Sequence, residues 1–322
     1  MIFVSWRNAC MKYPTECRLK TLALLRRRQS FLNRQLYNTP ARSAPVKLAY
    51  AAYESTSENP STITEAPAPI IIIHGLFGSK NNWNSLSKVI HQRTSRKVIA
   101  VDARNHGDSP HSSDSTYAAM VDDIVLLVKD LGIKKAVMVG HSMGGRVMMY
   151  LALTHPELVE KLVSIDVSPT NHSPSLLSMV SLFDAMKNVK LDENVSLFKA
   201  RKMTDQQLSD SINSAAIRQF LLTNLVEAKD GKYKWRLNLP VLEKHFNSDI
   251  SRFPATDKTF NGPTLFIGGD KSDYITVEDH VRIKRLFPEA KIQYIPGAGH
   301  WVHSEKPKEF LDIITSFINE AQ

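Results

Sequence analysis

The stretch Lys134–Thr154, KKAVMVGHSMGGRVMMYLALT, decides how the chain is read. Lys134–Val139 is a short, mostly apolar run, as a buried strand requires, and Gly145–Thr154 carries helix-forming residues up to His155-Pro156. Between them Gly140-His141-Ser142-Met143-Gly144 reads Gly-x-Ser-x-Gly. On a sharp strand-to-helix turn, a serine hydroxyl is held out at the top of a sheet. The glycines at 140 and 144 let the backbone turn there without a Cβ clash. The pentapeptide alone is a weak pattern; the flanking strand and helix make Ser142 a candidate nucleophile.

Outward from this point, strand and helix patterns alternate. Val46–Tyr53 reads as an edge strand, Glu54–Pro69 as a loop, and Ile70–Ile73 as a β-branched strand covered on both faces. Asn82–Thr94 reads as helix, Lys97–Val101 as strand, Tyr117–Leu131 as an amphipathic helix stopped by Gly132, and Leu162–Val167 as strand. Near the end come strand Thr264–Ile267, helix Val277–Phe287, strand Lys291–Ile295 and a helix over Lys308–Asn319. The alternation predicts an α/β fold with a doubly wound, mostly parallel sheet. Residues 170–258 interrupt it with helical patterns at Leu176–Lys187, Leu197–Lys202 and Asp205–Leu222, and a hairpin or strand at Lys232–Leu237. Inserted between two sheet strands, this segment is expected to cap the strands' carboxyl ends, where binding crevices of open α/β sheets form. Met179, Phe183, Met186, Leu197, Phe198 and Met203 read as its core.

Composition narrows the function classes. The 322-residue chain is 43% hydrophobic and 23% charged, ordinary for a globular protein, with a formal charge of +9. Nine Lys/Arg and a single acid, Glu16, fall in residues 1–45. The remainder holds 32 basic and 31 acidic residues, so a nucleic-acid partner is not indicated. The Arg-rich, acid-poor head with interleaved leucines has the composition of a mitochondrial transit peptide, which leaves residues 46–322 as the catalytic body. No apolar run approaches the ~18–20 residues of a membrane-spanning helix. Both cysteines, Cys10 and Cys17, lie in the head, and no His/Asp/Glu set has metal-ligand spacing. Neither a metal nor another cofactor is expected. Gly268-Gly269-Asp270-Lys271-Ser272 lacks the glycines of a phosphate loop.

A serine needs a histidine to take its proton and a third group to hold that histidine. His300, in the Gly-rich loop after the last strand, is placed for the first role. Asp166 ends the strand after the elbow helix and is favoured for the second. Asp270 and Asp273 remain alternatives: they follow strand Thr264–Ile267, the commoner home of this acid, but Ser272 occupies the register of the usual Asp-x-x-Val/Ile pattern. Oxyanion donors are expected from the backbone N–H groups of Met143 and, in the loop His74-Gly75-Leu76-Phe77-Gly78, of Leu76. His74 is expected to brace that loop, and His303 to face away from the site.

On these residues the chain resembles the α/β-hydrolase superfamily over residues 46–322. His74–Ser79, Val101–Pro110, Gly140–Gly145 and Gly299–His303 are similar to the mitochondrial group of abhydrolase domain-containing protein eleven and to small bacterial esterases, with Asp102–Pro110 the most specific of them. The resemblance implies an α/β-hydrolase fold with a helical cap before the last strands. It also implies a serine hydrolase of carboxylic, lipid-type esters such as diacylglycerols, located in the mitochondrial matrix. In the bacterial relatives the acid follows the strand after the elbow helix, the place of Asp166. Where an acid is described in the cap, the matching position here is Pro240, which cannot serve. The same triad would suit a thioesterase or amidase, and a partner-binding protein that retains the fold is the alternative from another class.

Overall fold

The computed structural model describes residues 43–55, 66–170 and 173–321; the targeting segment expected over residues 1–45 lies almost wholly outside them. Nine strands occur among the described residues: β1 (Tyr50–Tyr53), β2 (Ile70–Ile73), β3 (Val98–Val101), β4 (Ala136–His141), β5 (Val159–Ile165), β6 (Leu225–Glu227), β7 (Tyr233–Trp235), β8 (Thr264–Gly269) and β9 (Ala290–Ile295). Seven form one sheet in the order β1-β3-β2-β4-β5-β8-β9, parallel throughout except for β1. β6 and β7 make a separate antiparallel hairpin, so the Lys232–Leu237 pattern is half of a hairpin. β1 begins at Tyr50 rather than Val46. Before it, the Val46 N–H donates to the Asp123 carboxylate and the Ala49 N–H to Ser109 Oγ, not to a strand.

β2 is central, and its four isoleucines are buried on both faces. Ile71 and Ile73 join a core with α2 (Tyr117–Asp130) and α3 (Met143–Thr154). Ile70 and Ile72 join a second core with α1 (Asn84–Thr94) and the last helix, Pro307–Asn319. That last helix presents Phe310, Leu311, Ile314, Phe317 and Ile318, the i, i+1, i+4, i+7, i+8 spacing of one apolar stripe. From β2 the chain moves outward to β3 and then returns across β2 to β4. The order therefore reverses between β2 and β4, and the loops leaving their carboxyl ends meet at a crevice.

Between β5 and β8 lie α4 (Pro174–Ser178), α5 (Val180–Asn188), α6 (Leu197–Ser209), α7 (Ala215–Leu222), the hairpin, and α8 (Leu239–His245) with a π-type turn over Phe246–Ile250. Phe183 anchors this segment, its ring meeting Phe77 at 4.8 Å and Phe246 at 5.7 Å. The expected core set holds for Met179, Phe183 and Met186 but not on α6, where Leu197 and Met203 are only partly buried and lie outside the core. α6 buries Ala200, Thr204 and Leu208, spaced by four, and Phe198 lies off that stripe, 82% exposed.

The run after β3 is organised by two buried carboxylates. Asp102 accepts from the Lys80 N–H, the Lys80 ammonium and the Asp108 N–H at 2.6–2.8 Å. Gly107 wraps so closely around it, at φ +54°, that a Cβ would stand 2.1 Å from the Asp102 carboxyl carbon. Arg104, fully buried, donates from Nε and Nη2 to the two oxygens of Asp123, each at 2.6 Å. Removing one partner of such a pair leaves an uncompensated buried charge. Asp123→Ala is therefore expected to lower unfolding stability by about 3–5 kcal/mol. The double variant Arg104→Met/Asp123→Leu should recover most of the loss, as read from urea midpoints at constant slope.

Candidate active site

Ser142 stands at the turn from β4 to α3 with φ +52° and ψ −118°, a conformation that L-residues hold only when the surroundings enforce it. The enforcement is steric. A Cβ on Gly140 would lie 2.2 Å from the Gly144 carbonyl oxygen, and one on Gly144 would lie 2.5 Å from the carbonyl oxygens of both Ile73 and His74. The elbow is thus clamped against the end of β2, which brings the loop His74–Gly78 beside the serine. A Cβ on Gly75 would stand 3.1 Å from the Ser142 Cβ. Met143 opens α3, where first-turn N–H groups have no acceptor within the helix.

The candidate acid and base meet. Asp166 follows β5 directly, fully buried at φ +46°, and its Oδ2 lies 2.7 Å from His300 Nδ1. Its other contacts are the Gly269 N–H at 3.0 Å, given to Oδ1, and the Ser272 hydroxyl, given to Oδ2. The residue in the usual acid's register therefore donates to Asp166. The alternatives are engaged elsewhere. Asp273 accepts from Ser173 Oγ and the Ser175 N–H at the start of α4, and Asp270 accepts from the Gly297 N–H at 2.6 Å. Tyr274 stacks on His300 with ring centroids 3.7 Å apart. Ser142 and His300 line one small cavity.

Sequence reasoning missed His141. Its Nε2–H donates to the His300 carbonyl at 2.9 Å, so the middle residue of the Gly-x-Ser motif ties the histidine loop to the elbow strand. The only sequence signal was its place beside the serine. His74 braces its own loop as expected: Nδ1–H donates to the Gly75 carbonyl and Nε2 accepts the Ala103 N–H. His106 does the same one step on, accepting the Phe77 N–H at Nε2 and donating to the Arg104 carbonyl. The specific run Asp102–Pro110 is thus the mould of the loop His74–Gly78. His303 does not face away from the site. It lines the cavity with Ser142, stacked at 4.4 Å on Trp83 and edge-on at 4.6 Å to His141.

The fold is shared with known proteins. A family model described as alpha/beta hydrolase fold matches residues 68–307. The chain is 48% identical over 275 residues to the sn-1-specific diacylglycerol lipase ABHD11 of Mus musculus, covering 85% of this chain and 86% of the mouse protein. It is 34% identical over 255 residues to the esterase YbfF of Escherichia coli strain K12, covering 79% of this chain and 94% of that one. Among solved structures, a marine microorganism esterase superposes with a TM-score of 0.76 at 34% identity, covering 84% of this chain and 99% of the other. The chain belongs to the α/β-hydrolase family.

Four buried histidines surround the serine and its loops, and burial holds each below the ordinary imidazole range. His74 is lowered, His141 lies well below 6.5 with His303 and His300 adding to the effect, and His106 and His303 fall to about 3. Unfolded, each would take up a proton near pH 6.5. The unfolded chain then binds more protons between pH 6.5 and 3, so stability present in full above 6.5 is lost as the pH falls through that window. Stability should drop by about 1 kcal/mol per pH unit for each of His106 and His303 below pH 6. His303→Phe, which can keep the stack on Trp83, should flatten the profile by one histidine's share. Urea denaturation from pH 4 to 7.5 measures this, and an unchanged slope in the variant would contradict it.

Proposed function

We propose that this carboxylic ester hydrolase works through an acyl-enzyme on Ser142. His300 takes the hydroxyl proton as Ser142 attacks the ester carbonyl, then delivers it to the departing alcohol. Asp166 holds His300 in the tautomer that carries its proton on Nδ1, leaving Nε2 free to act as the base. The N–H groups of Leu76 and Met143 receive the developing oxyanion, a contribution of roughly 3–4 kcal/mol for one such donor. Water, activated by His300, then releases the acid. The observation that carries this reading is the 2.7 Å contact from His300 Nδ1 to Asp166 Oδ2, with His300 and Ser142 facing one cavity.

For the substrate we infer lipid esters, diacylglycerols included. The support is the likeness to the mouse protein described as an sn-1-specific diacylglycerol lipase, together with the esterases among the relatives. The Arg-rich head supports delivery to mitochondria.

Ser142→Ala should abolish ester hydrolysis and labelling by a fluorophosphonate probe without lowering stability, because it removes only the attacking oxygen. More than a few per cent residual activity would sink the elbow assignment. Asp166→Asn should leave substrate binding nearly unchanged while favouring the wrong imidazole tautomer. The equivalent change in a serine protease costs about 10⁴-fold in kcat, so a loss on the order of 10²–10⁴ is expected. Asp270→Asn and Asp273→Asn should cost far less. If Asp273→Asn is the crippled variant and Asp166→Asn is near normal, the acid belongs after β8.

A further inference from the structure

Three cavities converge above β4, and they differ sharply in size and lining. The first, of about 10 Å³, opens from Ser142 between Leu76, Met143, Val167, Leu176 and Ile250, a mostly apolar cleft whose floor also includes Tyr117 and Arg146, both engaged with backbone carbonyls. The second, of about 20 Å³, lies between Ser142, His300, His141 and Trp83. The third, of about 400 Å³, flanks His300 and Trp301. Its opposite wall carries the hydroxyl-bearing residues Ser175, Ser178 and Ser181, spaced by three along α4 and α5, and Lys271 stands on its rim.

Met179 borders all three and is the one residue that does. It occupies the break between α4, which ends at Ser178, and α5, which starts at Val180. Its side chain is only 8% exposed, so its bulk fills the space where the cavities would otherwise join. An unbranched thioether is the apolar side chain best able to change rotamer within a packed site. Phe183 and Met186, by contrast, are fully inside the core and border none of the three cavities.

We propose that Met179 is the specificity-determining gate of this hydrolase, partitioning a narrow acyl cleft at Ser142 from a wide alcohol chamber beside His300. The proposal rests on the acyl-enzyme reading and deepens it. The ester carbonyl must lie over Ser142 with its oxygen toward the Leu76 and Met143 N–H groups, so the acyl chain starts in the apolar cleft. The departing alcohol takes its proton from His300 and so leaves into the chamber that His300 flanks. Serine hydroxyls and a rim ammonium suit an alcohol that keeps further hydroxyl groups, as a glycerol does. As Met179 stands, the cleft has room for little more than one small group. Longer acyl chains enter only when its side chain swings toward the chamber.

Steady-state kinetics on two ester series test this. One series holds glycerol constant with acetyl, octanoyl and palmitoyl chains; the other holds octanoate constant with methanol and glycerol. Met179→Ala should raise the palmitoyl-to-acetyl ratio of kcat/KM by about tenfold or more, Met179→Phe should lower it by a similar factor, and Met179→Leu should stay within about threefold of the parent. Ile217→Trp narrows the chamber from its far wall. It should depress the glycerol ester relative to the methyl ester and leave the acyl ratio unchanged. Because each readout is a ratio, partial loss of folded protein does not mask it. Acyl ratios constant within about twofold across the Met179 series would overturn the gate, and an acyl shift in Ile217→Trp would overturn the assignment of the chamber. A fluorophosphonate probe separates the two levels. Variants that label normally but show unchanged ratios refute the gate alone, whereas a parent enzyme that does not label refutes the nucleophile.

Discussion

The site depends on one close approach of backbone to backbone. Gly144, in the first turn of α3, lies so near the carbonyls of Ile73 and His74 that any side chain there would displace them. That contact ties the strand-turn-helix of the serine to the end of the central strand. Everything that must face the serine from the β2 side, Leu76 above all, inherits its position from it. The neighbouring glycine does the same within the elbow, since Gly140 is pressed onto Gly144 itself. Dispersion and hydrogen bonding then stabilise an arrangement that sterics has already narrowed.

Backbone strain is concentrated where the chemistry would be. Among the described residues, five non-glycines have positive φ, and three of them are Phe77, Ser142 and Asp166. One lies in each of the loops that leave β2, β4 and β5. A fourth, Asn105, sits in the run that braces the Phe77 loop through His106. Such conformations cost of order 1–3 kcal/mol each and persist only where the surroundings over-determine them. Around Phe77 and Asn105 the surroundings are buried polar contacts: Asp102 with Lys80, Arg104 with Asp123, and neutral histidines bonded at both ring nitrogens.

Much of this was legible in the sequence because it rests on local patterns. A four-residue isoleucine run has few places to go except a covered strand, and Gly-x-Ser-x-Gly between a strand and a helix restricts the turn. What escaped were contacts made across long separations by residues of ambiguous type. His141 reaches the His300 carbonyl 159 positions away, and nothing local distinguishes it from any histidine in an apolar strand. Ser272 could be recognised as the wrong residue in the acid's register, but its hydroxyl on Asp166 is visible only once β5 and β8 are paired. Phe198 was assigned to the core on hydrophobicity alone, whereas the helix stripe defined by Ala200, Thr204 and Leu208 leaves it outside. Met179 looked like its apolar neighbours, and only the cavities tell it apart.

The position of Asp166 has a consequence for how the molecule assembles. Ser142 and Asp166 each directly follow one of the two strands of a continuous strand–helix–strand unit, β4–α3–β5, whose strands pair directly. An acid placed after β8 would instead have required the whole inserted segment to be spanned before the two met. Loop-closure entropy grows with the length of chain enclosed, and contacts that are local in sequence form early. Ser142 and Asp166 can therefore be brought into register by the fast, local part of folding. The slow, entropically costly closure then delivers a single group: His300, 134 residues beyond its partner.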